Sequence, residues 1–166
     1  MIVVLMGVSG SGKTTIGRAL AASLRWPFHD ADDFHPAANV AKMAAGIPLT
    51  DADRWPWLDR IVAALADAGA DKTNVVLACS ALRQIYRDRI ARAGNVRFVY
   101  LKGDLETIAS RLAARSHQYM PASLLPSQFA TLEEPADAVI VDIRADIAAQ
   151  VAAIREALKL SAAAAA

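Results

Sequence analysis

The stretch Gly7-Val8-Ser9-Gly10-Ser11-Gly12-Lys13-Thr14 fits the phosphate-binding pattern G-x-x-x-x-G-K-[ST] at every fixed position. Glycine lets the backbone turn tightly and approach an anion closely. The N–H groups that open the following helix then point at phosphate oxygens, and the helix dipole favours negative charge there. Lys13 is placed to neutralise the β- and γ-phosphates, and the Thr14 hydroxyl to meet Mg²⁺. ATP·Mg would therefore lie on Gly10, Ser11, Gly12, Lys13, Thr14 and Thr15.

Further side chains carry chemistry in outline. Asp30-Ala31-Asp32 follows an apolar segment. One carboxylate would hold a Mg²⁺ water and the other would orient or deprotonate an attacking hydroxyl. A capped acidic turn explains the same residues equally well. Arg54 is either half of a surface ion pair with Asp53 or a forked clamp on a substrate carboxylate. Arg111 and Arg115 share a helix face, which usually means solvated charge. Trp55 and Trp57 read as packing, and Cys79 as a small buried hydrophobe.

These residues need a scaffold that gathers them. Ile2–Met6, Val75–Cys79 and Ala138–Val141 are apolar runs of strand length, with Val96–Leu101 as a further strand and Pro27–Asp30 as a short one. Ile16, Leu20 and Leu24 lie on one helix face. Further helices are expected over 36–45, over 51–68 with Asp51 as cap, Gly69 as stop and Pro56 in the first turn or at a kink, and over 83–93. Two more run from Leu105 to Leu112 and from Ile147 to Leu158. Residues 116–134 show no period and contain two prolines. Buried strands alternating with helices predict an α/β fold with a five-stranded parallel sheet, whose carboxyl ends collect the ligand groups. One domain over 1–160 is expected, with a lid at about 116–130 and an Ala-rich tail at 161–166.

Composition narrows the class. At 55% apolar, 21% charged and a net charge of +1, the chain offers no electrostatic case for nucleic acid or an anionic membrane. A single cysteine excludes an intrachain disulfide. No apolar run is long enough to span a bilayer and no signal-peptide pattern opens the chain, so cytoplasm is expected.

Beyond the loop, Asp30 to Pro36, Asn39, Lys42-Met43 and Gly46 to Leu58 form a distinctive series. It continues through Cys79 to Arg83, Tyr86-Arg87-Asp88, Tyr100 to Gly103, Met120-Pro121, Ser127-Gln128-Phe129 and Leu132-Glu133. This series resembles the gluconate kinase family of P-loop kinases, relatives of shikimate kinase. The resemblance implies a P-loop NTPase fold with a substrate-binding helical region and a lid, and ATP-dependent phosphorylation of D-gluconate at its 6-hydroxyl. It implies Asp32 facing the acceptor hydroxyl and Asp30 as a Mg²⁺ partner through water. Arg115 would meet the transferring phosphoryl and Arg111 would pack on adenine. Gluconate would contact Asp32, His35, Lys42, Arg54, Ser80, Arg83 and Arg87. Two positions depart from the family: Ala31 replaces a frequent Gly, and Gln118 a frequent His, with His117 one place early. A homodimer is compatible with the sequence. The alternatives are another small-molecule kinase, for shikimate or a different sugar acid, and an ATP-gated regulatory module.

Overall fold

Every residue of Ile2–Met6 is buried, a condition met by a strand at the centre of a sheet covered on both faces. In the computed structural model, which describes residues 1–70, 73–113 and 124–161, this strand is β1. It pairs in parallel with β3 (Val75–Ala78) on one side and β4 (Val96–Lys102) on the other. The sheet is completed by β2 (Phe28–Asp30) and β5 (Val139–Asp142), in the order β2-β3-β1-β4-β5 with every pairing parallel. This is the five-stranded parallel sheet expected from the apolar runs.

The helices are α1 (Lys13–Leu24), α2 (Ala37–Ala44), α3 (Asp51–Ala70), α4 (Gln84–Ala91), α5 (Leu105–Ala113), α6 (Leu125–Thr131) and α7 (Ile147–Ala157). Side chains alternate across a strand, so the sheet feeds two cores. Val3, Leu5, Val99 and Leu101 pack with Ile16 and Leu20 of α1, Ile108 of α5 and Ile154 of α7. Ile2, Val4, Met6, Val75 and Leu77 pack with Leu58, Ile61 and Leu65 of α3 and with Tyr86 and Ile90 of α4. Gly17 lets α1 close on the sheet, since a Cβ there would lie 2.6 Å from the Phe28 ring. Among the described residues, no helix is long and apolar enough to cross a membrane.

Three local expectations are corrected. The cap of α3 is Thr50, one residue before Asp51. The Asp53 N–H donates to Thr50 Oγ1 at 3.3 Å, and the Thr50 N–H donates to Asp53 Oδ2 at 2.8 Å, a reciprocal capping box. The helix runs through the expected stop at Gly69, and Pro56 lies inside it beyond the first turn, where its missing N–H deprives the Ala52 carbonyl of an intrahelical partner. Within the stretch read as irregular, Leu125–Thr131 is helical, with Pro126 in the first turn where its fixed φ suits a helix start. The remainder of the expected lid, 116–123, and the tail residues 162–166 lie outside the described residues.

Candidate active site

At the carboxyl ends of β1, β2 and β3 a cleft of about 250 Å³ opens, floored by Ala78 and Cys79. The phosphate loop forms one wall. Gly12 caps α1 in the left-handed region (φ 99°), with no side chain closing the helix and no acidic residue in its first turn. A helix start with no side-chain cap and no acidic residue favours an anion there. Gly10 (φ 84°) sits so close to α5 that a Cβ would lie 2.8 Å from Leu112 Cγ. Lys13 Nζ donates to the Val8 carbonyl at 3.0 Å, which folds the side chain back over the loop. Gly10, Gly12, Lys13, Thr14 and Thr15 line the cleft as expected, whereas Ser11 turns its side chain into the core and donates its N–H to Val8 O at 3.2 Å.

Thr14 Oγ1 donates to Asp30 Oδ2 at 2.8 Å, joining the two groups expected around Mg²⁺. The other Asp30 oxygen accepts the Asp32 N–H at 3.2 Å and caps a 3₁₀ turn over Ala31–Phe34. Asp30 thus serves both the turn and the Thr14 hydroxyl. Ala31 keeps an ordinary backbone and its carbonyl accepts the Trp57 indole N–H at 2.7 Å, so this departure from glycine fits the turn. Asp32 projects from the turn with its side chain 61% exposed. The cleft walls, and then the neighbouring charge of Asp30, push its pKa above the usual carboxylate value, while Lys13 pulls the other way. A carboxylate raised in this way is a stronger base toward a hydroxyl. Among the described residues no cluster of three or more metal-type ligands forms. The Thr14–Asp30 pair nonetheless fits Mg²⁺, which commonly binds few protein groups and takes the rest of its shell from phosphate and water.

His35 has its side chain only 4% exposed and stacks on Trp57 at 4.3 Å between centroids. Asn39 Nδ2 donates to the Asp53 carbonyl at 2.8 Å and reaches His35 Nδ1 at 3.3 Å. An amide nitrogen only donates, so Nδ1 accepts and the ring proton is assigned to Nε2, 4.0 Å from Asp32 Oδ1. Burial first, then the charge of Arg54, lower the His35 pKa to about 4. The cleft is thereby given a neutral imidazole beside Asp32.

Across the cleft stands Arg54, its side chain 23% exposed. Nη1 donates to Tyr86 Oη at 3.2 Å, and the guanidinium lies over the Tyr86 ring. Among the described residues its other N–H groups have no partner, which suits a fork that takes a carboxylate. Ser80 also lines the cleft, and its carbonyl accepts the Gly7 N–H at 3.2 Å.

The remaining expected contacts go elsewhere. Lys42 Nζ binds both oxygens of Asp53, at 2.7 and 2.9 Å, and so ties α2 to the start of α3 without lining the cleft. Arg87 is 3% exposed and donates to the Ala81 and Leu82 carbonyls at 3.0 and 3.2 Å. It pins the β3–α4 loop, where Ala81 is held in the left-handed region (φ 44°) that alanine disfavours. Arg83 pairs with Asp51 at 2.6 Å and with Glu133 at 3.5 Å and stands behind the cleft wall. Arg111 donates to the Ile143 carbonyl at 2.6 Å, bracing the loop after β5. Arg115 lies outside the described residues. Cys79 is buried, and burial pushes its thiol up to about 12, so it is no nucleophile.

Several participants carried no expected role in the site. Asn39 fixes the His35 ring, and Tyr86 and Asp51 hold Arg54. Hydrogen bonds from Tyr86 and Arg83 keep the Asp51 carboxyl below the usual range. Helix α6 supplies a second wall through Leu124, Ser127, Gln128 and Thr131, and Gln128 Oε1 accepts the Ser9 N–H of the phosphate loop at 2.6 Å. Pro126, suited to a first helical turn, was the signal for this wall.

Comparison with known proteins agrees with this geometry. The family model described as "Shikimate kinase" matches residues 9–156. The chain is 48% identical to a thermosensitive gluconokinase of Escherichia coli (strain K12) over 87% of its length and 80% of that protein. Among solved structures it is similar to a gluconokinase from Sinorhizobium meliloti 1021, at 41% identity and TM-score 0.83, covering 95% of this chain and 90% of that one. It is likewise similar to a sugar kinase from Janibacter sp. HTCC2649, at 40% identity and TM-score 0.93, covering 99% and 98%.

Proposed function

The chain belongs to the gluconokinase family of P-loop kinases, and from that premise we propose that it transfers the γ-phosphoryl group of ATP to the 6-hydroxyl of D-gluconate, giving 6-phospho-D-gluconate and ADP. The observation that carries the reading is one cleft lined by the phosphate loop, by Asp32 and, across from them, by the forked cation Arg54. Gluconate has a reacting hydroxyl at one end and a planar carboxylate at the other, matching Asp32 and Arg54 in turn.

The first-turn N–H groups of α1 and Lys13 hold the phosphates and offset charge on the transferring group. Thr14 and, through water, Asp30 would hold a Mg²⁺, which would supply further charge neutralisation at the phosphates. Asp32 accepts the proton of the 6-hydroxyl as the oxygen attacks phosphorus. His35 offers its Nε2–H to Asp32 or to a sugar hydroxyl, and stays neutral while doing so. Arg54 fixes the carboxylate and thereby selects which hydroxyl reaches Asp32. Arg111, which the Ile143 carbonyl engages, and Arg115 keep their adenine and phosphoryl roles by resemblance alone. Every residue in this reading comes from one chain, so a homodimer is not needed for the chemistry. The cytoplasm, where ATP is supplied, is the compartment the reading calls for.

The test is ADP release by the purified protein with gluconate, other aldonates, shikimate or no acceptor. Gluconate-dependent release with phosphate found on the 6-oxygen is expected. Acceptor-independent release, or a preference for shikimate, would overturn the assignment.

A further inference from the structure

We propose that Asp51 sets the charge accepted at the far end of the cleft, tuning Arg54 to a head group with one negative charge and against one with two. The inference rests on the sugar-acid reading above and names a specificity determinant within it. Tyr86 Oη takes Arg54 Nη1 at 3.2 Å and donates to Asp51 Oδ1 at 2.5 Å. The same Asp51 oxygen lies 3.7 Å from Arg54 Nη1. Asp51 Oδ2 accepts Arg83 Nη1 at 2.6 Å, and Arg83 Nε lies 3.5 Å from Glu133. Lys42 on α2 is already neutralised by Asp53.

The cluster therefore contains two guanidiniums, Arg54 and Arg83, and two carboxylates, Asp51 and Glu133, with the Tyr86 hydroxyl relaying between helices. Arg87 also faces Glu133, and Asp88 faces Arg87, so with these two included the formal charge is still balanced before any ligand arrives. A carboxylate meets the unpartnered N–H groups of Arg54 and gains two charge-assisted bonds. A second negative charge on the same head group gains no further fork, and it meets the field of Asp51 directly behind that guanidinium. Asp51 is thus a positioning residue, acting through Tyr86 and Arg54 and also through its charge. It lies behind the wall and does not line the cleft.

The probe is D-glucitol 1-phosphate, which carries a phosphate monoester where gluconate has its carboxylate and leaves the 6-hydroxyl unchanged. Its second pKa is about 6, so the same molecule is largely a monoanion at pH 5.5 and a dianion at pH 8. Its competitive Ki against gluconate, divided by the gluconate KM, is measured at both pH values for wild type and Asp51→Asn. The ratio is expected to fall in Asp51→Asn by about five- to tenfold at pH 8, the effect of one extra charge roughly 10 Å away after solvent screening. At pH 5.5 the fall should be under about twofold, since both ligands then carry a single charge. Loosened packing would weaken both ligands alike and leave the ratio unmoved at either pH. Tyr86→Phe, which cuts the relay but keeps the charge of Asp51, should raise the Ki and the KM together. If Asp51→Asn does not fold, Asp51→Ser carries the same test. A ratio that is unchanged, or that shifts equally at both pH values, overturns the inference. Absence of gluconate turnover by the wild type would instead overturn the functional reading beneath it.

Discussion

Acidification should weaken the fold through His35 before it reaches the paired carboxylates. The side chain is 4% exposed, stacked on Trp57 and beside Arg54, and its pKa is lowered from 6.5 to about 4. Between those values the unfolded chain binds a proton at this position that the native protein does not, so unfolding is favoured as pH falls. The stabilisation is complete above pH 6.5, declines below it and is gone once the pH has passed below 4. The full difference of 2.5 units corresponds to about 3 kcal/mol, of which about 2 kcal/mol is lost by pH 5. Asp53 and Asp142 are lowered to about 2, so their own losses begin only below the ordinary carboxylate value of 3.8, outside this window. The assay is urea unfolding at pH 7.5, 6, 5 and 4.5 for wild type and His35→Gln. The variant loses the ring stack and is less stable throughout, but its stability should be flatter between pH 6.5 and 5 by about 2 kcal/mol. Arg54→Ala should flatten the same interval in part, since Arg54 is the second cause of the shift. Parallel curves for wild type and His35→Gln would refute the claim that this imidazole is held neutral.

The other expectations are kinetic. Lys13→Ala should keep its circular dichroism spectrum and lose at least two orders of magnitude in kcat, since a cation on a transition-state charge is worth about 3 kcal/mol or more. Near-normal turnover in the folded variant would remove the phosphate-loop assignment. Asp32→Asn should lower kcat by about a hundredfold or more with little change in the ATP KM; retention of kcat would reduce Asp32 to a turn residue. Asp30→Asn should raise the Mg²⁺ concentration needed for half-maximal rate. It should also move the acid limb of the kcat profile to lower pH, because removing the Asp30 charge removes one cause of the raised Asp32 pKa; a profile that stays in place would break that coupling. Arg54→Ala should raise the gluconate KM ten- to a hundredfold, about 1.5–3 kcal/mol for a charge-assisted contact. It should penalise a neutral polyol far less, and equal penalties would mean that Arg54 does not read the carboxylate.

The sequence exposed what is encoded locally. The strand runs, the helix faces, the phosphate loop and the Asp30–Asp32 turn all declare themselves within a few residues of chain, and all stand in the structure as expected. Basic residues are harder to read, because residue type reveals a charge and conceals its partner. Lys42 answers to Asp53, eleven residues on, and Arg83 to Glu133, fifty residues on, so neither is free to line the cleft. Arg87 is engaged by carbonyls only a few residues away, yet the need arises from the backbone of Ala81, which no pattern announces. Helix α6 is seven residues long, too short for a 3.6-residue period to emerge. The cap of α3 was readable, since Thr50 and Asp53 have capping-box spacing, but an aspartate one residue later competes for the same role.

The sheet order has a consequence for how the chain is made. Strand β1 is synthesised first, yet it sits between β3 and β4, so its partners begin at Val75 and Val96. At about 5–20 residues per second, the ribosome leaves Ile2–Met6 without its second partner for about 5–20 s after it is made. During that time an entirely apolar strand carries open edges, the condition under which nascent chains recruit chaperones or pair with one another. A transcript cut before Val96 would yield a phosphate loop mounted on a strand paired along one side alone. Gln128 delays completion further, since the N–H of Ser9 waits for a carbonyl made 119 residues later. Nucleotide affinity should therefore arise late in synthesis, close to the moment at which the acceptor pocket is also finished.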